Sequence, residues 1–204
     1  MDWSVEHAFL RANGVELAPG LSDVELARAE DRVGCRFPSD LCSFLQAALP
    51  LGKDLWPDWR QPDSEYIAYR LGWAEQGMVF DLEHCPWWWP PPWGPRPSAL
   101  SDAIALARER LREQPKLIPI FSHRFLPAEP CEAGNPVLSV YQMVDTIYYG
   151  TDLKDFFDRE IHCDLRRREP IGTVSPIRFW REVVEDWYKR PAEASPGTLN
   201  EGSG

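Results

Sequence analysis

FSHRFLPAEPCEAGNPVLSVYQMVDTIYYG, from Phe121 to Gly150, follows the apolar run LIPIF, residues 117–121, and decides how the chain is read. LIPIF, VLSVYQ and TIYY are rich in β-branched and aromatic residues and separated by polar segments, which predicts strands of one sheet. The short final connection makes their pairing mostly antiparallel. The strong polar candidates fall between these runs. His123, Arg124 and Glu129 lie in a Pro-punctuated loop, Asn135 and Pro136 open VLSVYQ, and Asp145 precedes TIYYG.

Upstream, MVFDL (78–82) reads as a further strand, giving a sheet of at least four. The rest of the first half reads as helices. Val5, Ala8 and Phe9 have helical spacing before Gly14; Ser22 and Glu25 form a capping-box pattern that opens a helix closed by Gly34. FPSDLCSFLQAALP repeats the device with an apolar stripe of Leu41, Phe44, Leu45 and Ala48, and Ser64 starts a short helix through Leu71. Gly52 to Pro62 is a loop. CPWWWPPPWGPRP (85–97) cannot be helical, because its prolines lack amide donors and bias their predecessors toward extended angles. Residues 98–114 are again helical, with Leu100, Ile104, Ala107 and Leu111 on one face. A helix follows Thr151, its Asp152 and Asp155 at the positive end, and the last begins at Ser175 and Pro176, with Ile177, Trp180, Val184 and Trp187 in register. Helices, then sheet, then helices predict one α+β domain over residues 1–189, with helices mainly on one face of the sheet. Residues 190–204 are expected to be a disordered tail.

The chain has 204 residues, enough for one well-buried core. Lys and Arg total 22 against 32 Asp and Glu, a net charge of −10, which argues against direct binding to nucleic acid or an anionic membrane and either suits a basic protein partner or serves only to keep the chain in solution. The cysteines, Cys35, Cys42, Cys85, Cys131 and Cys163, are odd in number without a CxxC pair, and MDWSVEHAF has no signal-peptide pattern, so a cytoplasmic setting is expected. His84 beside Cys85 and His162 beside Cys163 lack zinc-ligand spacing, and neither metal nor cofactor is expected.

Gly20, Leu21, Ser22 and Glu25, then Gly34, Phe37, Pro38, Asp40 and Leu41, resemble the opening of the SUKH superfamily. Its members carry a GLs-x-x-E helix followed by a G-x-x-F-P-x-D-L turn and a second helix. PDWR (57–60), WGPRP (93–97), HRFLPAEP (123–130), GNPVLSVY and IYYG resemble bacterial members more specifically. The matches run in the family's order from about Val15 to Phe157. The superfamily is named after a fungal regulator of cell-wall assembly and is abundant in bacteria, often as immunity proteins beside secreted toxins. The resemblance therefore implies a binding scaffold and points to toxin immunity; a regulatory or scaffold module is the first alternative.

His123 with Arg124, Glu129 and Asp145 has three readings: hydrogen bonding that pins loops together with Asn135, contact with a partner, or a small hydrolase using His123 and a carboxylate. No GxSxG, HExxH or phosphate-cradling glycine loop accompanies them. Trp87, Trp88, Trp89 and Trp93 form either an aromatic anchor for a partner or a lid folded onto the sheet. Asp54, Asp58, Asp63 and Glu65 surround Trp59 and Arg60, and with Asp81 and Glu83 they make one acidic face if that loop folds over MVFDL. Such a face suits a basic toxin domain.

Overall fold

The computed structural model describes residues 1–52, 55–161 and 171–188. The expected tail (190–204), Asp54, His162 and Cys163 lie outside the described residues. The chain is an α+β domain with eight helices among the described residues.

Helix α1 (Ser4–Ala12) turns Glu6, His7 and Leu10 inward. Val5 and Ala8, the expected apolar face, point outward instead, since the helix is anchored by Trp3, whose indole N–H donates to Ser43 Oγ at 2.8 Å. Strand β1 (Glu16–Pro19) leads to α2 (Asp23–Val33), where the capping box forms as expected: Ser22 Oγ accepts the Glu25 amide, and the Glu25 carboxylate accepts the Ser22 amide. Gly34 closes the helix at φ 74°, a left-handed angle that glycine adopts without penalty. Helix α3 (Ser39–Ala47) follows, and β2 (Ala48–Leu51) pairs with β1 in a two-stranded antiparallel ribbon. The sequence reading did not include this ribbon; its strands are four residues long and carry prolines.

Helix α4 (Glu65–Leu71) is capped by the Ser64 hydroxyl. Next comes α5 (Trp73–His84), so MVFDL is helical rather than a strand. Met78 and Leu82 are buried at i, i+4 spacing, a period that a five-residue window cannot distinguish from two-residue alternation. The loop 85–97 contains only a 3-10 turn at Pro91–Trp93, and α6 (Leu100–Arg112) buries Ala103 and Ala107 while Leu100 remains exposed.

The main sheet is an antiparallel meander of β3 (Leu117–Phe121), β4 (Arg124–Pro127), β5 (Val137–Val140) and β6 (Thr146–Gly150). Its fourth strand is RFLP, read from sequence as loop. The β3–β4 connection is the two-residue turn Ser122–His123, with Ser122 at φ 44° and Phe121 paired to Arg124. The usual sign of such a hairpin is Asn-Gly or Asp-Gly, which Ser-His lacks.

Both faces of the sheet are covered. Ile118, Ile120, Leu126 and Val137 join a core with α2, α3 and α7 (Leu153–Ile161). Leu117, Phe125, Leu138 and Val140 join another with α5, α6, the Trp/Pro loop and α8 (Trp180–Tyr188). Helices are thus shared between the faces rather than gathered on one, consistent with strands apolar at nearly every position. Each fully buried Leu, Ile or Phe contributes roughly 1.5–3 kcal/mol, so these cores fix the sheet as a rigid platform. Helix α8 starts later than Pro176 suggested, because Phe179 adopts φ 67° and packs inward with Ile177 and Trp180.

Candidate functional site

One face of α5 builds the most distinctive surface of the molecule. Trp73, Gly77 and Asp81 recur at i, i+4, i+8, and all three meet the turn between β5 and β6. The Trp73 indole donates to the Val140 carbonyl at 2.8 Å. Gly77 permits close approach: a Cβ there would lie 3.0 Å from Gln142 Cα and 3.1 Å from the Tyr141 carbonyl oxygen. Asp81 is wholly buried and accepts the Val144 amide at 2.9 Å. A helix and a tight turn are thereby locked together.

On this support stands a row of aromatic side chains. Tyr69 of α4 meets Trp73 edge-on at 5.4 Å between centroids, and Trp73 meets Tyr141 at 5.9 Å. Two turns beyond Trp73 on α5, Phe80 stacks on His84 at 4.0 Å. Tyr69, Phe80 and Tyr141 are 50%, 44% and 56% exposed. Carboxylates border them: Glu65 lies one turn before Tyr69, Asp145 closes the turn that carries Tyr141, and Glu83 follows Phe80; all three are exposed. The sequence reading named these acids but not the rings. The available signal was the i, i+4 pair Tyr69 and Trp73, whereas Tyr141 joins them only through the fold.

The expected acidic face around Trp59 does not assemble as read. Trp59 is 1% exposed and meets Phe37 edge-on, so it belongs to the core. Arg60 binds the Glu25 carboxylate and the carbonyls of Pro19 and Gly20. Asp58 accepts the Arg60 amide and the Gln61 side chain, ordering its own turn. Asp63 faces Arg28 and Arg32 at 4.0 and 3.6 Å. Asp81 is withdrawn from any outer face by its bond to Val144, a consequence of MVFDL being helical.

Three of the four tryptophans in the Pro-rich loop fold inward. Trp88 and Trp93 are buried, Trp93 stacks on Phe179 at 5.6 Å, and the Trp89 indole, half-buried, donates to the Gly94 carbonyl at 2.7 Å. Trp87 alone of the four is exposed. Arg96 staples the loop, donating to the carbonyls of Leu82, Pro86 and Trp88.

The remaining candidates separate. Asn135 is buried, and its amide donates to the Pro127 and Pro130 carbonyls at 2.8 Å each, tying down both ends of the segment after β4. Glu129 is exposed at the rim of that segment. Arg124 lies on the sheet, its guanidinium 3.7 Å from the Tyr149 ring centre and bonded to Ser139 Oγ at 2.9 Å. His123 packs edge-on against Tyr141 and lies 3.1 Å from Ser122 Oγ. Burial, with Arg124 and Arg70 nearby, holds its pKa down to about 4. An imidazole of that pKa is neutral at pH 7 and a weak base, which gives the Ser122–His123 pair little power to activate a hydroxyl.

Among the described residues no group of three or more His, Cys, Asp or Glu converges as a metal site requires, and no helix is long and apolar enough to cross a membrane. Burial raises the thiols of Cys35 and Cys42 to about 11, away from the thiolate form. Comparison with family models, curated proteins and solved structures returns no match.

Proposed function

We propose that this chain is a non-enzymatic binding protein of SUKH type, an immunity protein that neutralises a bacterial toxin domain stoichiometrically in the cytoplasm. The observation that carries the reading is the exposed row of Tyr69, Tyr141 and Phe80 on a locked helix and turn. Aromatic side chains bury large area with little rotamer entropy, and those held on rigid elements lose least on association. Glu65, Glu83 and Asp145 at the border, together with the net charge of −10, suit a basic partner domain and would steer its approach. The catalytic alternative centred on His123 is less favoured, because its depressed pKa makes it a poor general base.

The test is co-expression with the C-terminal domain encoded by the adjacent reading frame. Growth rescue, and a 1:1 complex by size-exclusion chromatography, are expected. The double variant Tyr69→Ala/Tyr141→Ala should lose rescue while keeping its circular dichroism spectrum. A toxic domain that is not rescued overturns the immunity reading; rescue unchanged in the double variant overturns the assignment of the surface.

A further inference from the structure

Next to Tyr69 on α4, Arg70 turns inward and is 4% exposed. Its guanidinium lies 4.5 Å from the Trp73 ring centre and 5.1 Å from that of Phe125. Aromatic faces favour a cation but provide no hydrogen-bond acceptor in the guanidinium plane. Nε and Nη2, the two donors along one edge of the fork, are sealed from solvent and meet no acceptor among the described residues. Burial without a carboxylate is costly for an arginine, and it lowers this one's affinity for its own proton. Within an ion pair this charge would need no explanation; here two of its strongest donors are unused.

Arg70 lines a cleft of about 470 Å³ between α2, α5, α6 and the start of β3. Volumes of this order hold small organic ligands. Arg32, Arg108, Arg112 and Lys116 also line it, with Glu75 the one carboxylate to do so among the described residues. Glu75 is occupied by Arg108 at 2.9 Å, and Lys116 leans on the Val33 and Gly34 carbonyls at the end of α2. Five cations therefore line the cleft beside one carboxylate, with Arg32 also reaching Asp63 at 3.6 Å, in a protein whose net charge is −10. Leu71, Phe125 and Trp180 give the same cleft an apolar wall.

We infer that this cleft binds a small phosphate monoester with an apolar or planar body: Arg70 shifts on binding so that its paired donors, enclosed in the free chain, meet the phosphate oxygens, and the body lies against the apolar wall. Guanidinium groups match oxyanions two donors to two oxygens, and the surplus of cations favours a dianionic phosphate over a single carboxylate. The cleft adjoins the exposed aromatic row through Trp73, whose ring centre lies 4.5 Å from the Arg70 guanidinium and which meets Tyr69 and Tyr141. Arg70 follows Tyr69 in sequence, about 100° further round α4, and is buried where Tyr69 is exposed.

The test uses the intact protein with adenosine 5′-monophosphate, inorganic phosphate and adenosine as probes, read by isothermal titration and thermal shift. The monophosphate is expected to bind at least tenfold more tightly than either part alone and to raise Tm by several degrees at millimolar concentration. Arg70→Met should lose at least tenfold in affinity. Its Tm without ligand should be equal to or above that of the native chain, because a buried unpaired charge is removed. Arg70→Lys, which retains charge but not the fork, should also lose most of the affinity. Inorganic phosphate binding as tightly as the monophosphate overturns the contact with an apolar body. No binding by either phosphate, or binding undiminished in both Arg70 variants, overturns the site.

Discussion

The loop of residues 85–97 and the row formed by Tyr69, Trp73, Phe80 and Tyr141 use aromatic residues to opposite ends. The loop has the higher density, four tryptophans within residues 87–93, yet it spends most of them internally: Trp88 and Trp93 are core, and Arg96 draws the backbone onto the end of α5. The row is dispersed over more than seventy residues of sequence, and three of its members face solvent. Aromatic density along a chain therefore reports the area available to bury, whereas exposure is decided by which backbone groups the neighbouring side chains can satisfy. Prolines withhold amide donors and leave carbonyls needing partners, and in the loop those partners are Arg96 and the indole of Trp89.

If that contrast is right, the largest effect belongs to the loop's central ring. Trp93→Ala should destabilise by about 3–5 kcal/mol, the cost of deleting a large buried aromatic, because Trp93 contacts Trp88, Trp89 and Phe179 at once. Denaturant unfolding measures this directly. A loss below about 1 kcal/mol would mean that the loop is a detachable lid.

Next in size is the staple. Arg96→Met keeps an apolar stem but removes donors to the Leu82, Pro86 and Trp88 carbonyls. A cost of about 1–3 kcal/mol is expected for leaving such carbonyls unsatisfied. Exposure of Trp88, seen as a red shift in tryptophan fluorescence, should accompany it. An unchanged midpoint and spectrum would show that the loop holds its shape without the guanidinium.

Elements whose instructions are local were legible in the sequence. Ser22, Glu25 and Gly34 delimit α2 by chemistry within a single turn, and LIPIF, VLSVYQ and TIYY declare themselves strands by composition. What was not legible required knowledge of a distant neighbour. MVFDL becomes helical because Gly77 and Asp81 engage residues 141–144, and RFLP becomes a strand because Ser122 accepts a left-handed angle usually left to Asn or Gly. The candidate site was read in fragments for the same reason. Asn135, Glu65, Glu83 and Asp145 could be picked out as polar residues, but the rings that Glu65 and Asp145 border are joined only after α5 packs on the β5–β6 turn. Arg70 gave only the spacing Ile67 to Arg70, which places a cation on a buried helix face.

Acid should act on the row before the loop. His123 lies against Tyr141, faces Arg124, Arg70, Glu160 and Asp145, and is held neutral in the fold with a pKa near 4, below the ordinary 6.5. The unfolded chain binds this proton first, so the stability contributed is complete above pH 6.5 and is lost as pH falls from there toward 4. His7, whose pKa burial also lowers, adds in the same direction. NMR titration should place His123 near 4, and His123→Asn should flatten part of the fall in Tm between pH 7 and 4.5. A midpoint near 6.5 would mean that the imidazole is solvated and lends the row no support.

The smallest effect on stability, and the most informative one, is expected from the exposed rings themselves. Tyr69→Ala and Tyr141→Ala remove side chains that are half or more exposed, so each should change stability by about 0.5 kcal/mol or less, as surface substitutions do. The same variants should speed dissociation from the proposed toxin partner, because an anchor ring acts after encounter. Reversing Glu65 and Asp145 to Lys should instead slow association and weaken its dependence on salt, since border charges act before contact. Surface plasmon resonance at several salt concentrations separates the two signatures. If the tyrosine variants lose stability on the scale of Trp93→Ala while dissociation is unchanged, the row is structural like the loop, and the difference between the two regions disappears.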